Sequence, residues 1–167
     1  MPLDAAAWAN DVLGQTALSA NNPKEAVERF GRAASYAVEA SSLKAARDGA
    51  IAAGAAGATD ESIARFFADF DRAVSAGVNT AQAEQFVDAA ALPDFVRGLV
   101  TSVARKWSTE VLRTEPTGRD EALVDTRFSV TAGGQTNVAR ALARVRRSGE
   151  AWRIVDVQIL ETTENQP

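Results

Sequence analysis

The sequence contains no cysteine and no histidine. Without cysteine there is no disulfide in any compartment and no thiolate to act as nucleophile or ligand. Without histidine there is no imidazole base and no Ser-His-Asp relay, and nearly every structural zinc site is excluded. Neither a metal nor a cofactor is expected. No apolar run approaches the roughly 18–20 residues that a membrane span needs, and "MPLDAAAWAN" lacks the basic start and apolar core of a signal peptide. The chain reads as cytoplasmic as written, or as exported or periplasmic if a targeting segment has been trimmed. Lysine is scarce, 3 residues against 15 arginines, and alanine is abundant, the usage of a GC-rich bacterial genome. A net charge of −4 argues against a non-specific nucleic-acid binder.

What is present suits a globular protein. Apolar residues make up 46% and charged ones 24% of 167 residues, enough for one domain, or a small domain with an appendage. Asp4 is placed to cap a first helix with Trp8, Val12 and Leu13 along one stripe. "ANNPKEA" reads as a stop and restart, with Asn22 as N-cap, Pro23 at the first helical position and Glu25 completing a capping box. A second helix follows with Ala26, Val27, Phe30, Ala33, Ala34, Ala37 and Val38 at helical spacing. Residues 1–48 are therefore expected to form a helical hairpin, 49–59 an Ala/Gly linker, 60–161 the main α+β domain and 162–167 a loose polar tail.

Leu13-Gly14, Ala17, Ala26, Phe30 and Ala33 resemble one tetratricopeptide repeat, in which small residues let two helices approach closely. A single repeat cannot bury its own face. The hairpin must then dock within the protein or its oligomer, or on a protein partner.

From residue 59 the pattern sharpens. Thr59 or Asp60 caps a helix carrying Ile63, Phe66, Phe67, Phe70 and Val74, and Gly77 ends it. Asp69 and Asp71 in that helix read as a solvated face, since residues two apart do not face each other. Asn79 and Gln82 open a short helix. Leu92-Pro93-Asp94 starts another, bearing Phe95, Val96, Leu99, Val100 and Val103. Beyond Arg105 the period changes to two, and four strand candidates are separated by Gly-containing turns. Helices followed by a meander predict an α+β layer in which a curved antiparallel sheet packs on the helices.

The closing strand, with Trp152, Ile154, Val155, Val157 and Ile159, and the helix-then-strand order resemble the nuclear transport factor 2-like (cystatin-like, SnoaL-like) superfamily over residues 60–161. The resemblance implies a cone whose curved sheet and long helix enclose a pocket, often with a homodimer through the outer sheet face. It also implies pocket residues on the closing strand, where enzyme members frequently carry histidine. Here those positions are Asp156 and Gln158, and the histidine chemistry is missing.

Strict alternation would point Trp152, Ile154, Asp156 and Gln158 to one face. If that face lines the pocket, Phe67, Phe70, Trp152, Ile154 and Gln158 would contact a small apolar ligand, and Asp156 would be a general base strengthened by burial. That role requires a cavity open to solvent and a second polar group within hydrogen-bond reach. Asp125 and Arg127 also share a face, and with Asp156 they resemble the Asp-Arg-Asp water-activating device of limonene-epoxide hydrolase relatives. Cross-strand ion pairs explain the same residues more simply. A ketosteroid-isomerase-like site would need a tyrosine in the cone, but the one tyrosine is Tyr36. The function expected is a non-catalytic ligand-binding or protein-interaction module. The alternative is a small-molecule hydrolase or isomerase using Asp156 with Asp125 and Arg127.

Overall fold

The computed structural model describes residues 3–54, 60–101 and 105–165. The chain divides into two compact units, Met1–Ala56 and Gly57–Pro167.

The first unit contains three helices among its described residues: α1 (Leu3–Ser19), α2 (Pro23–Tyr36) and α3 (Ala40–Ala52). The link between α1 and α2 turns at Asn21, whose φ of 57° asparagine tolerates better than most residues. Asn22 then caps α2 by accepting from the Glu25 backbone N–H, with Pro23 in the first turn. The unit is built around Phe30, which is fully buried among Ala17, Ala26, Ala50 and Ala53. Gly14 and Gly49 make room for its ring. A Cβ at either would stand 2.7 Å or 2.3 Å from Phe30 Cε1.

Gly49 is therefore a packing residue inside α3, and no linker begins there. Residues 49–52 are helical, and α3 supplies the third surface that a lone hairpin lacks. Residues 55–59, with Thr59 as a candidate cap, lie outside the described residues. Asp4 also differs from expectation. Its carboxylate accepts from the backbone N–H groups of Val38 and Glu39 at 3.0 and 3.2 Å, so it ties down the start of α3. Those two bonds hold its pKa below the ordinary value. Trp8 remains 68% exposed.

The second unit opens with α4 (Glu61–Ala76), capped by Asp60 and ended by Gly77 at φ 92°. Helix α5 (Thr80–Ala83) starts with a complete capping box between Asn79 and Gln82, and α6 (Pro93–Thr101) follows. Val103 lies outside the described residues. Strands β1 (Lys106–Gly118), β2 (Glu121–Ala132), β3 (Gln135–Ser148) and β4 (Ala151–Asn165) form an antiparallel meander in the order β1-β2-β3-β4. Gly133, Gly134 and Gly149 take positive φ in the turns. The class is α+β, helices first and a curved four-stranded sheet after them.

Strand β4 runs past the expected boundary. Thr162 pairs with Ala139 and Thr163 with Val138, so residues 162–165 are paired to β3 and are no loose tail. The polar side chains suggested a tail, but β3 is long enough to keep pairing them.

The core lies between α4 and one sheet face. Ile63, Phe66, Phe67, Phe70 and Val74 pack against Val124, Phe128, Ala141, Ala143, Val145 and Ile154. Small alanines on β3 let the helical layer approach. Two polar links fix α4 on β1. Asp71 accepts from the backbone N–H and the hydroxyl of Thr109 at 2.7 and 2.6 Å, and Ser75 Oγ accepts from the Trp107 N–H at 2.9 Å. Asp71 is thus half-buried and bonded to the sheet, while Asp69 stays exposed and pairs with Arg72. Burial, opposed by its bonds to Thr109, pushes the Asp71 carboxyl up.

Candidate functional site

The β3–β4 ladder contains two β-bulges, and the first reorganises the expected site. Val145 pairs with Ile154 but Arg144 pairs with Asp156, so Val155 is the extra residue. A bulge resets the alternation. Trp152 and Ile154 face α4 and are buried, whereas Asp156 and Gln158 lie on the opposite face and are exposed. The four residues expected on one face are split two and two. Asp156 lacks the burial that a general-base role requires.

Asp125 and Arg127 share a face, as their spacing implies, and it is the face away from α4. They do not pair with each other. Arg127 is exposed and donates to Glu110 at 2.7 Å. Asp125 is fully buried, with Arg140 Nη2 at 3.9 Å and Arg113 Nη1 at 4.0 Å from its oxygens. Arg144 and Arg146 both donate to Glu121.

Phe67 and Phe70 are buried and line neither of the clefts described below. Their ring centroids are 6.5 Å apart, Phe70 lies 5.7 Å from Trp107 and 5.8 Å from Phe86, and Phe67 lies 6.3 Å from Phe128. These rings pack on one another between α4 and the sheet.

An open cleft of about 480 Å³ lies beside this aromatic core. About two turns of α4 provide Ser62, Arg65, Phe66 and Asp69. The segment after α5 adds Gln85 and Phe86, and the β3–β4 turn with the start of β4 adds residues 150–153, including Trp152. Each wall is held by hydrogen bonds. The Trp152 indole N–H donates to Ser62 Oγ at 3.0 Å, and that hydroxyl donates to Asp60 Oδ1 at 2.6 Å. Arg147 sits 5.2 Å from the centre of the Trp152 ring, and its guanidinium also pairs with Asp120. Phe86 is pinned to the sheet edge because its carbonyl accepts from the Ile154 N–H at 2.8 Å, and the Asp88 N–H donates to the Ile154 carbonyl at 2.9 Å.

The Ser62–Asp60 pair is built for capping. The hydroxyl already accepts the indole proton, and its hydrogen bond to Asp60 is the main cause holding that carboxyl below its ordinary pKa. A carboxylate so stabilised is a poor base. Among the described residues no group of three or more carboxylates could hold a metal ion. A smaller cleft of about 310 Å³ runs along α6, with Val96 and Val100 between Glu84 and Arg97. Arg97 there is already paired with Asp94 at 3.2 Å.

Of the expected contact residues, only Trp152 lines the 480 Å³ cleft. Arg65, Phe86 and Arg153 were not singled out by sequence reasoning. They come from a helix, a connector and an edge strand that only the fold brings together. No protein-family model, curated protein or solved structure matches the chain.

Proposed function

We propose that the chain is a non-catalytic binding module of the nuclear transport factor 2-like kind, taking a small, largely apolar molecule in the cleft beside Trp152. The order of helices and the curved meander support the family reading. The observation that carries the function is the cleft itself, which has a floor of Phe66, Phe86 and Trp152 held by hydrogen bonds and by packing. Its volume falls within the usual range for ligand sites, about 300–1,000 Å³. Its one hydroxyl, on Ser62, is committed as both donor and acceptor. Such a site can bind and orient a molecule, and it offers no free nucleophile paired with a base.

Native mass spectrometry of protein purified from its own host tests this. Gln85 is exposed at the cleft, so Gln85→Trp fills the space without entering the core. The wild-type chain should carry a small-molecule adduct that Gln85→Trp lacks. An adduct retained by Gln85→Trp would place the ligand elsewhere and refute the reading. The same spectrum reports whether the chain forms the homodimer expected of this family.

A further inference from the structure

We infer that the ligand of the Trp152 cleft is a small planar organic anion, an aromatic ring system bearing a carboxylate or phosphate group. This rests on the binding role proposed for the same cleft and adds the chemistry of what it selects.

Ion pairing in the second unit leaves unpaired guanidinium groups at the cleft. Eight of the unit's twelve arginines are paired with carboxylates, among them Arg140 with Asp125. Arg72 meets Asp69, Arg97 meets Asp94, Arg113 meets Glu115 and Arg127 meets Glu110. Arg144 and Arg146 share Glu121, and Arg147 meets Asp120. Arg65, Arg105, Arg119 and Arg153 have no carboxylate within ion-pair distance among the described residues, and of these Arg65 and Arg153 line the cleft. Of the two acidic residues in its lining, Asp69 is already neutralised by Arg72. Two uncommitted guanidiniums therefore face a single uncommitted carboxylate, Glu150.

The rings decide the remainder of the ligand. Half-buried Phe86 and the small exposed parts of Phe66 and Trp152 border the same space, and aromatic side chains favour planar partners. Guanidinium groups at the rim suit a carboxylate or phosphate, which they bind through paired, charge-assisted hydrogen bonds. An apolar ligand without charge would leave both guanidiniums at the rim unused. A cationic one would meet them as like charges.

A matched probe set tests the charge separately from the apolar fit: indole-3-acetate, its neutral counterpart indole-3-acetamide, and the cationic tryptamine. The readout is the Trp152 indole N–H resonance in ¹⁵N spectra of the full chain, assigned with a conservative Trp152→Phe variant. Indole-3-acetate should shift it, with indole-3-acetamide about tenfold weaker, the worth of one charge-assisted contact, and tryptamine weaker still. Arg65→Gln with Arg153→Gln should bring the acetate down to the level of the amide. Because both side chains are exposed, the double variant should keep the wild-type spectrum elsewhere. Glu150→Gln should tighten the acetate by about twofold, the scale of an exposed charge pair. A small arylphosphate distinguishes phosphate from carboxylate as the preferred head group. If the three indoles bind alike, or the double arginine variant binds the acetate unchanged, anion selection is refuted while binding in the cleft stands. If none of them moves Trp152 at millimolar concentration, both readings fall.

Discussion

Two glycine-to-alanine substitutions in the first unit should have opposite signs, and the contrast isolates one packing contact. Gly31 lies on the exposed side of α2, where a methyl group would meet nothing within 4 Å. Alanine there removes the helix penalty of glycine and should stabilise by about 0.5–1 kcal/mol. Gly49 has the same backbone preference in α3, but an added Cβ would lie 2.3, 2.5 and 2.6 Å from three atoms of the Phe30 ring. Carbon atoms in comfortable contact stand about 3.5–4.0 Å apart, so the ring would have to retreat by more than an ångström. Phe30 is fully buried and also faces Gly14, which closes the retreat. Overpacking of this kind costs about 1–3 kcal/mol. The propensity gain is common to both variants, so the difference between them measures the steric cost alone. Urea unfolding followed by far-ultraviolet circular dichroism gives that difference. In a Phe30→Leu background the smaller side chain should erase most of it, because the two residues act through one contact. Gly49→Ala as stable as Gly31→Ala in the wild-type background would refute the packing of α3 on Phe30.

The charged cap of α4 should show in the pH dependence of stability. Asp60 accepts from the Ser62 N–H and hydroxyl and has a pKa lowered from 3.8, chiefly by the hydroxyl bond, so its stabilisation is present above pH 3.8 and is lost as pH falls through the lowered value. Asp60→Ala should therefore cost about 1 kcal/mol at neutral pH, the usual worth of a cap, and nothing at the acid end. An equal cost at both ends would contradict the assignment. At the other terminus of the second unit, the pairing of Thr162 and Thr163 with β3 should slow exchange at alternate amides of residues 160–163 by at least about tenfold relative to an unstructured chain. Unprotected amides throughout that stretch would mean that β4 ends earlier.

The architecture was largely legible because its signals are local. Asn22, Asn79 and Gly77 announce where helices start and stop, and the change of period after Arg105 announces the sheet. The failures are those of a local reading. Val155 offers no signal of being an extra residue, since valine suits a strand whether paired or bulged. One unrecognised insertion moved Asp156 and Gln158 to the wrong side. Gly49 looked like a helix breaker because its partner, Phe30, is a helix away. Asp71 looked solvated because Thr109 lies 38 residues further along the chain. The cleft was the least visible part. Ser62 and Trp152 are 90 residues apart, and an arginine without a carboxylate can be recognised only after every other pair has been assigned.

The positions of the bulges carry a consequence for association. The central β2–β3 ladder pairs without interruption from Glu121 to Ala132. All register shifts fall between the outer strands and their neighbours, near Leu112 and Thr117 on the β1 side and at Val155 and Leu160 on β4. A free strand from another chain would have to follow these local kinks to continue the sheet, and a straight segment cannot. The margins of the sheet thus discourage open-ended stacking into fibres. Should two copies of this chain meet through the sheet, the broad face away from α4 is the surface left to join.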